Sequence, residues 1–135
     1  MSSDVKWYVE GKILFVTHSG KLGVDDAEFF IKECLERFTE ADSQVHVVVN
    51  HSGTEAIAAD LAKVNRLAEV GQSFFTHEQL GVMVAYGIES RLIRFFATMA
   101  GQLSKKEYRL VDTFDDAIRL IQKVDLSVTE SLPSS

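Results

Sequence analysis

Ser52 stands in the run Asn50-His51-Ser52-Gly53-Thr54-Glu55, directly after the β-branched stretch Val45-His46-Val47-Val48-Val49. A hydroxyl followed three residues later by a glutamate is the pattern of a capping box, so Ser52 and Glu55 predict the start of a helix. A strand that breaks into a helix N-terminus gathers free backbone N–H groups, and these favour negative charge together with the helix dipole. Two roles for Ser52 follow. As an N-cap, its oxygen accepts from a free N–H, worth about 1 kcal/mol. As a phospho-acceptor, it would gain about −1.5 to −2 units of charge at the same place. Glu55 opposes the second role, since its carboxylate would lie near the phosphate. Thr54 is a weaker second acceptor.

His18 and His51 belong to the same argument. Each is expected at the carboxyl end of a parallel strand, with Ser19, Asn50, Tyr86, Gly87 and Asp112 along the same edge. Ligands of open α/β sheets bind at that edge. Two imidazoles, a tyrosine and an acid could support acid–base chemistry or hold a metal. The spacing matches no metal motif, and no strong nucleophile or second acid accompanies them. The expectation is therefore no catalytic site, no metal and no cofactor, with an enzyme built on His18, His51 and Asp112 as an alternative. His46 falls inside a strand and is expected to be hydrogen-bonded there, while His77 lies in a loop. Gly20-Lys21-Leu22-Gly23 lacks the spacing of a phosphate-binding P-loop. Cys34 is the only cysteine, on an apolar helical stripe, so it predicts a packed thiol, no internal disulfide and a reducing, cytoplasmic setting.

The elements that must position these residues can be read along the chain. Trp7-Tyr8-Val9 and Ile13-Leu14-Phe15-Val16-Thr17 flank Glu10-Gly11-Lys12 and predict a hairpin. A loop over 19–23 leads to a helix over 25–40, with Asp25, Asp26 and Glu28 in its first turn. Its buried stripe is Ala27, Phe30, Ile31, Cys34, Leu35 and Phe38. Phe29 falls off that stripe and is expected to be exposed. A strand over 45–50 precedes a helix over 54–70, with Ile57, Leu61, Val64, Leu67 and Ala68 inward. Gly71-Gln72-Ser73 ends it, and a loop follows that carries Phe74 and Phe75. The strand 80–86 leads to a third helix over 89–103, rich in apolar residues and bearing Arg91 and Arg94. A short strand at 108–111 and a last helix, capped within 112–116 and running to 124, complete the chain. The order β-β-α-β-α-β-α-β-α predicts an α/β fold. Its sheet would be five-stranded and mostly parallel, with right-handed crossovers and one antiparallel edge strand. Residues 1–124 are expected to form one domain, and 125–135, rich in serine and holding the only proline, are expected to form a mobile tail.

Composition narrows the function classes. A chain of 135 residues can bury a full core. A net charge of −6 argues against nucleic acid as a partner. Residues 89–109 depart from that balance, with five Lys/Arg against two Asp/Glu. This basic patch leaves peripheral membrane contact open. No apolar run is long enough to span a bilayer, and the N-terminus has no apolar signal core. The third helix offers an alternative function, a small-molecule or lipid pocket against the sheet bordered by Arg91, Arg94 and Phe96. Phe29, Phe74 and Phe75, as exposed aromatics, would suit a homodimer face.

Several segments carry a resemblance. They are Val82-Met83-Val84-Ala85-Tyr86-Gly87, Arg91-Leu92-Ile93-Arg94-Phe95-Phe96-Ala97, and Tyr108-Arg109-Leu110-Val111-Asp112-Thr113-Phe114-Asp115-Asp116-Ala117-Ile118. With the element order, they resemble the STAS superfamily, and within it the SpoIIAA-like branch of small bacterial proteins. The resemblance implies the SpoIIAA-like fold. It also implies a non-enzymatic regulatory module acting through a signalling or kinase-like protein partner. Regulatory members carry a phosphorylated serine after the strand that precedes the second helix, in an Asp-Ser-Ser-Gly-like motif. The matching place here is Asn50-His51-Ser52-Gly53-Thr54. It keeps the Ser-Gly pair and lacks the acidic lead-in and the doubled serine. The working surface would be 50–55 with the neighbouring loop 18–20.

Overall fold

The structure, a computed structural model, describes residues 3–57, 64–88, 94, 98 and 108–128. Five strands, β1 (Ser3–Val9), β2 (Ile13–Leu22), β3 (Val45–Ile57), β4 (Leu80–Tyr86) and β5 (Tyr108–Leu110), form one sheet in sequential order. β1 is antiparallel to β2, and the other three pairings are parallel. The expected α/β architecture and its antiparallel edge strand are what the chain adopts. Helices α1 (Val24–Phe38), α2 (Val64–Phe75) and α3 (Phe114–Val124) pack on this sheet. Among the described residues, no helix is long and apolar enough to cross a membrane.

The period-two alternation of the strands divides the core into two layers. Leu14, Val16, Val47, Val49 and Ala85 face α1 and α2, while Ile13, Val48, Val82 and Val84 face α3. In α1 the predicted stripe is buried at Ala27, Phe30, Ile31, Cys34 and Phe38. Asp25 and Asp26 occupy its first turn, and the Gly23 N–H donates to the Asp26 carboxylate at 2.9 Å. At the start of α3, Thr113 Oγ1 accepts from the Asp116 N–H at 3.1 Å, the N-cap its sequence predicts.

Several local readings are corrected. β2 and β3 run on through Leu22 and Ile57, so 19–23 is not a loop and Thr54 does not begin a helix. Each extension supplies the other's backbone partners, with Ser19 opposite Gly53, Gly20 opposite Thr54, and Leu22 opposite Ile57. This ladder overrides the capping box, and Ile57 lies in a strand rather than on a helix face. The stretch Gly71-Gln72-Ser73 does not end α2 either. A Cβ at Gly71 would meet the Phe75 ring at 2.8 Å, so the missing side chain is the space into which Phe75 packs one turn on. Phe74 and Phe75 are therefore core residues, 0% and 4% exposed, and supply no dimer face. Phe74 stacks on Phe38 at 6.0 Å and meets Phe30 edge-on at 5.6 Å. Phe29 is half-buried rather than exposed.

Asp125–Val128, within the segment expected to form the tail, pack on the body. His46 accepts the Val82 N–H at Nδ1 (3.0 Å), which places its proton on Nε2 for donation to Asp125 Oδ2, also at 3.0 Å. Asp125 Oδ1 accepts from Ser127, and Val128 is fully buried in the α3 layer.

Candidate functional site

At the carboxyl edge of the sheet, Asn50 opposite Tyr86 is the last rung between β3 and β4. Beyond it β3 continues beside β2 alone among the described residues. This edge gathers most of the predicted site residues: Ser19, Asn50, His51, Ser52, Thr54 and Tyr86. Asp112 joins them just past β5, where the Val111 N–H bonds Ala85 O at 2.9 Å.

Ser52 is exposed on an extended backbone, so its hydroxyl caps no helix. Its own N–H is held by the side chain before it, donating to Asn50 Oδ1 at 2.9 Å. Gly87 closes on it from the end of β4. That residue has φ of +79°, in the left-handed region, and a Cβ there would collide with Ser52 Oγ and its backbone nitrogen. Glycine is thus required twice over, for conformation and for space. Thr54 is half-buried and its Oγ1 lies 3.3 Å from His51 Nδ1. Ser19 is exposed and Tyr86 half-buried, with burial raising the Tyr86 hydroxyl pKa.

The two histidines meet, with ring centroids 5.1 Å apart and planes tilted by 32°. They lie beneath the edge rather than on it, 2% and 8% exposed. His18 Nδ1 is 2.7 Å from Ser3 Oγ, and its ring meets Phe30 edge-on. Burial lowers the His18 pKa to about 4, against an opposing pull from Asp26. Burial lowers His51 further, to about 3, helped by the neighbouring His18. Burial favours the neutral form of both rings and makes each a weak base. Among the described residues, no hydrogen bond or ion pair links Asp112 to either ring. Among the described residues, no group of three or more His, Cys, Asp or Glu gathers to hold a metal.

Arg94 is exposed on a helical turn, with Thr98 Oγ1 donating to its carbonyl at 2.9 Å. Arg91 and Phe96, and with them the expected pocket against the helix read over 89–103, lie outside the described residues. Ser3 was not foreseen as a histidine partner, since nothing in Ser2-Ser3-Asp4 marks it. His77, read only as a loop residue, meets the Phe38 ring at 5.0 Å with the planes tilted by 50° and accepts the Gln79 N–H.

No protein-family model matches the chain, and no curated protein matches it significantly. Solved structures do. An uncharacterised protein from the DUF3478 family with a SpoIIAA-like fold, from Shewanella loihica PV-4, superposes with a TM-score of 0.61 at 12% identity. The match covers 88% of this chain and 91% of that one. The anti-sigma factor antagonist SpoIIAA in its unphosphorylated form aligns over 90% of this chain and 98% of its own, at 12% identity and a TM-score of 0.49. With its sequential five-stranded sheet and single antiparallel pair, this chain has the SpoIIAA-like fold.

Proposed function

We propose that this protein is a non-enzymatic regulatory module that docks a signalling protein through the carboxyl edge of its sheet, with phosphorylation of Ser52 as the switch. The observation that carries this reading is the presentation of Ser52. The residue is exposed on an extended segment, with its N–H held by Asn50 and its Oγ beside the backbone of Gly87. A kinase needs an accessible hydroxyl on extended chain, and a docking partner needs a rigid one. Ser52 meets both requirements, whereas Thr54 is half-buried against His51. The extended backbone also removes the competing role of helix cap, and Glu55 is not held next to the hydroxyl by a capping box. The neutral, buried histidines then serve as the floor that stiffens this edge. A phosphoryl group at Ser52 would add about −1.5 to −2 units of charge to a chain already acidic, enough to release or recruit a partner without refolding.

The test is affinity capture from the native cells with wild type, Ser52→Ala and Ser52→Asp as bait. A specific protein should be retained by wild type and Ser52→Ala and lost or exchanged with Ser52→Asp. Identical captures by all three would refute a switch at Ser52.

A further inference from the structure

The sheet face that carries α3 has an open groove at the N-terminus of that helix. It encloses about 550 Å³ and is lined by Lys6, Trp7, Tyr8, Phe15, Tyr86 and Phe114. Phe114, the first residue of α3, is its hub. Tyr8, Phe15 and Tyr86 meet the Phe114 ring at centroid distances of 5.1, 5.6 and 6.0 Å, with interplanar angles of 80°, 71° and 66°. All four are half-buried, so ring surface remains open to solvent. The volume falls in the range of small-molecule sites, roughly 300–1,000 Å³.

Crossed aromatic rings alone would suit either a planar ring or a cation, because the ring faces are electron-rich. Lys6 separates the two. Among the described residues it is the one charged residue lining the groove; it is exposed and is paired with Phe15 across the β1–β2 ladder. Its ammonium would repel a cationic guest and attract an anionic one. We propose that this groove binds a planar aromatic anion, its ring against Tyr8, Phe15, Tyr86 and Phe114 and its acidic group paired with Lys6. The site shares Tyr86 with the Ser52 edge but does not require a switch there.

Trp7, the only tryptophan of the chain, borders the groove from β1 while its indole packs on the α1 layer and donates to Glu40 at 3.4 Å, so energy transfer from it reports a probe bound nearby and the Lys6→Gln comparison assigns that probe to the groove. The probe is anilinonaphthalene sulfonate at pH 7, compared with uncharged phenylnaphthylamine. The sulfonate should saturate at one equivalent, and Lys6→Gln should weaken it by roughly three- to fivefold, as for one solvent-facing charge pair. Lys32→Gln, on an exposed turn of α1, should leave it unchanged, and phenylnaphthylamine should bind wild type and Lys6→Gln alike. Binding without saturation, equal weakening by the two lysine variants, or no effect of Lys6→Gln would overturn the proposal. So would displacement of the sulfonate by phenyltrimethylammonium.

Discussion

A buried histidine pair has a measurable cost. His18 and His51 have folded-state pKa values of about 4 and about 3, below the ordinary 6.5. The unfolded chain therefore takes up protons first as pH falls. The stability these groups allow is complete above about pH 6.5 and declines toward pH 4 and 3. Each ring removes about 1.4 kcal/mol per pH unit within that window. The urea midpoint should be flat above about pH 7 and fall steeply below about pH 6, with His51→Gln showing the shallower fall. A midpoint unchanged between about pH 7 and pH 5 would show that the rings are solvated. Ser52 makes a second residue-scale prediction through its neighbour. Gly87→Ala must force the left-handed backbone and displace Ser52, costing about 1–3 kcal/mol in chemical denaturation. Sequence placed Ser52, His18 and His51 at one edge, but their depth was not legible there. Burial of His18 under Phe30 is a property of α1 docking, which no local pattern records.

At the scale of elements, regular signals were readable and boundaries were not. The stripe of α1, the apolar strand β4 and the Thr113 cap of α3 follow from periodicity and capping within one segment. The extensions of β2 and β3 depend on each other across a crossover. Neither Ser19–Leu22 nor Ser52–Ile57 reads as a strand alone, while Ser52 and Glu55 do read as a cap. Phe74 shows the same limit, since Gly71 reads as a stop until Phe75 fills its space. Phe74→Ala should cost about 3–5 kcal/mol, as for any large core aromatic. A loop phenylalanine would cost little, so a small shift in the denaturation midpoint would place Phe74 outside the core. The segment after α3 makes its own prediction. Asp125→Ala leaves the buried His46 Nε2–H without its acceptor and frees Val128, and should destabilise by about 1–3 kcal/mol. An unaltered midpoint would show that this clasp is not formed in solution.

For the whole molecule, alternation of strands and helices was enough to predict a mostly parallel sheet with an antiparallel edge, and the sequential strand order follows that plan. Which sheet face each aromatic occupies was not legible. Tyr8 and Phe15 share one hairpin, but Tyr86 and Phe114 are far from them in sequence and meet them only because the register of four strands and the return of α3 bring them together. The fold itself does not choose a function. The choice rests on how this chain uses the carboxyl edge: two neutral histidines beneath it, and one exposed, fixed serine above. The most direct measurement is intact mass with site mapping on the protein isolated from its native cells across growth conditions. A regulatory switch predicts a fraction carrying one phosphoryl group at Ser52, changing with condition and absent from Ser52→Ala. Protein without phosphate at Ser52 in every condition would contradict it.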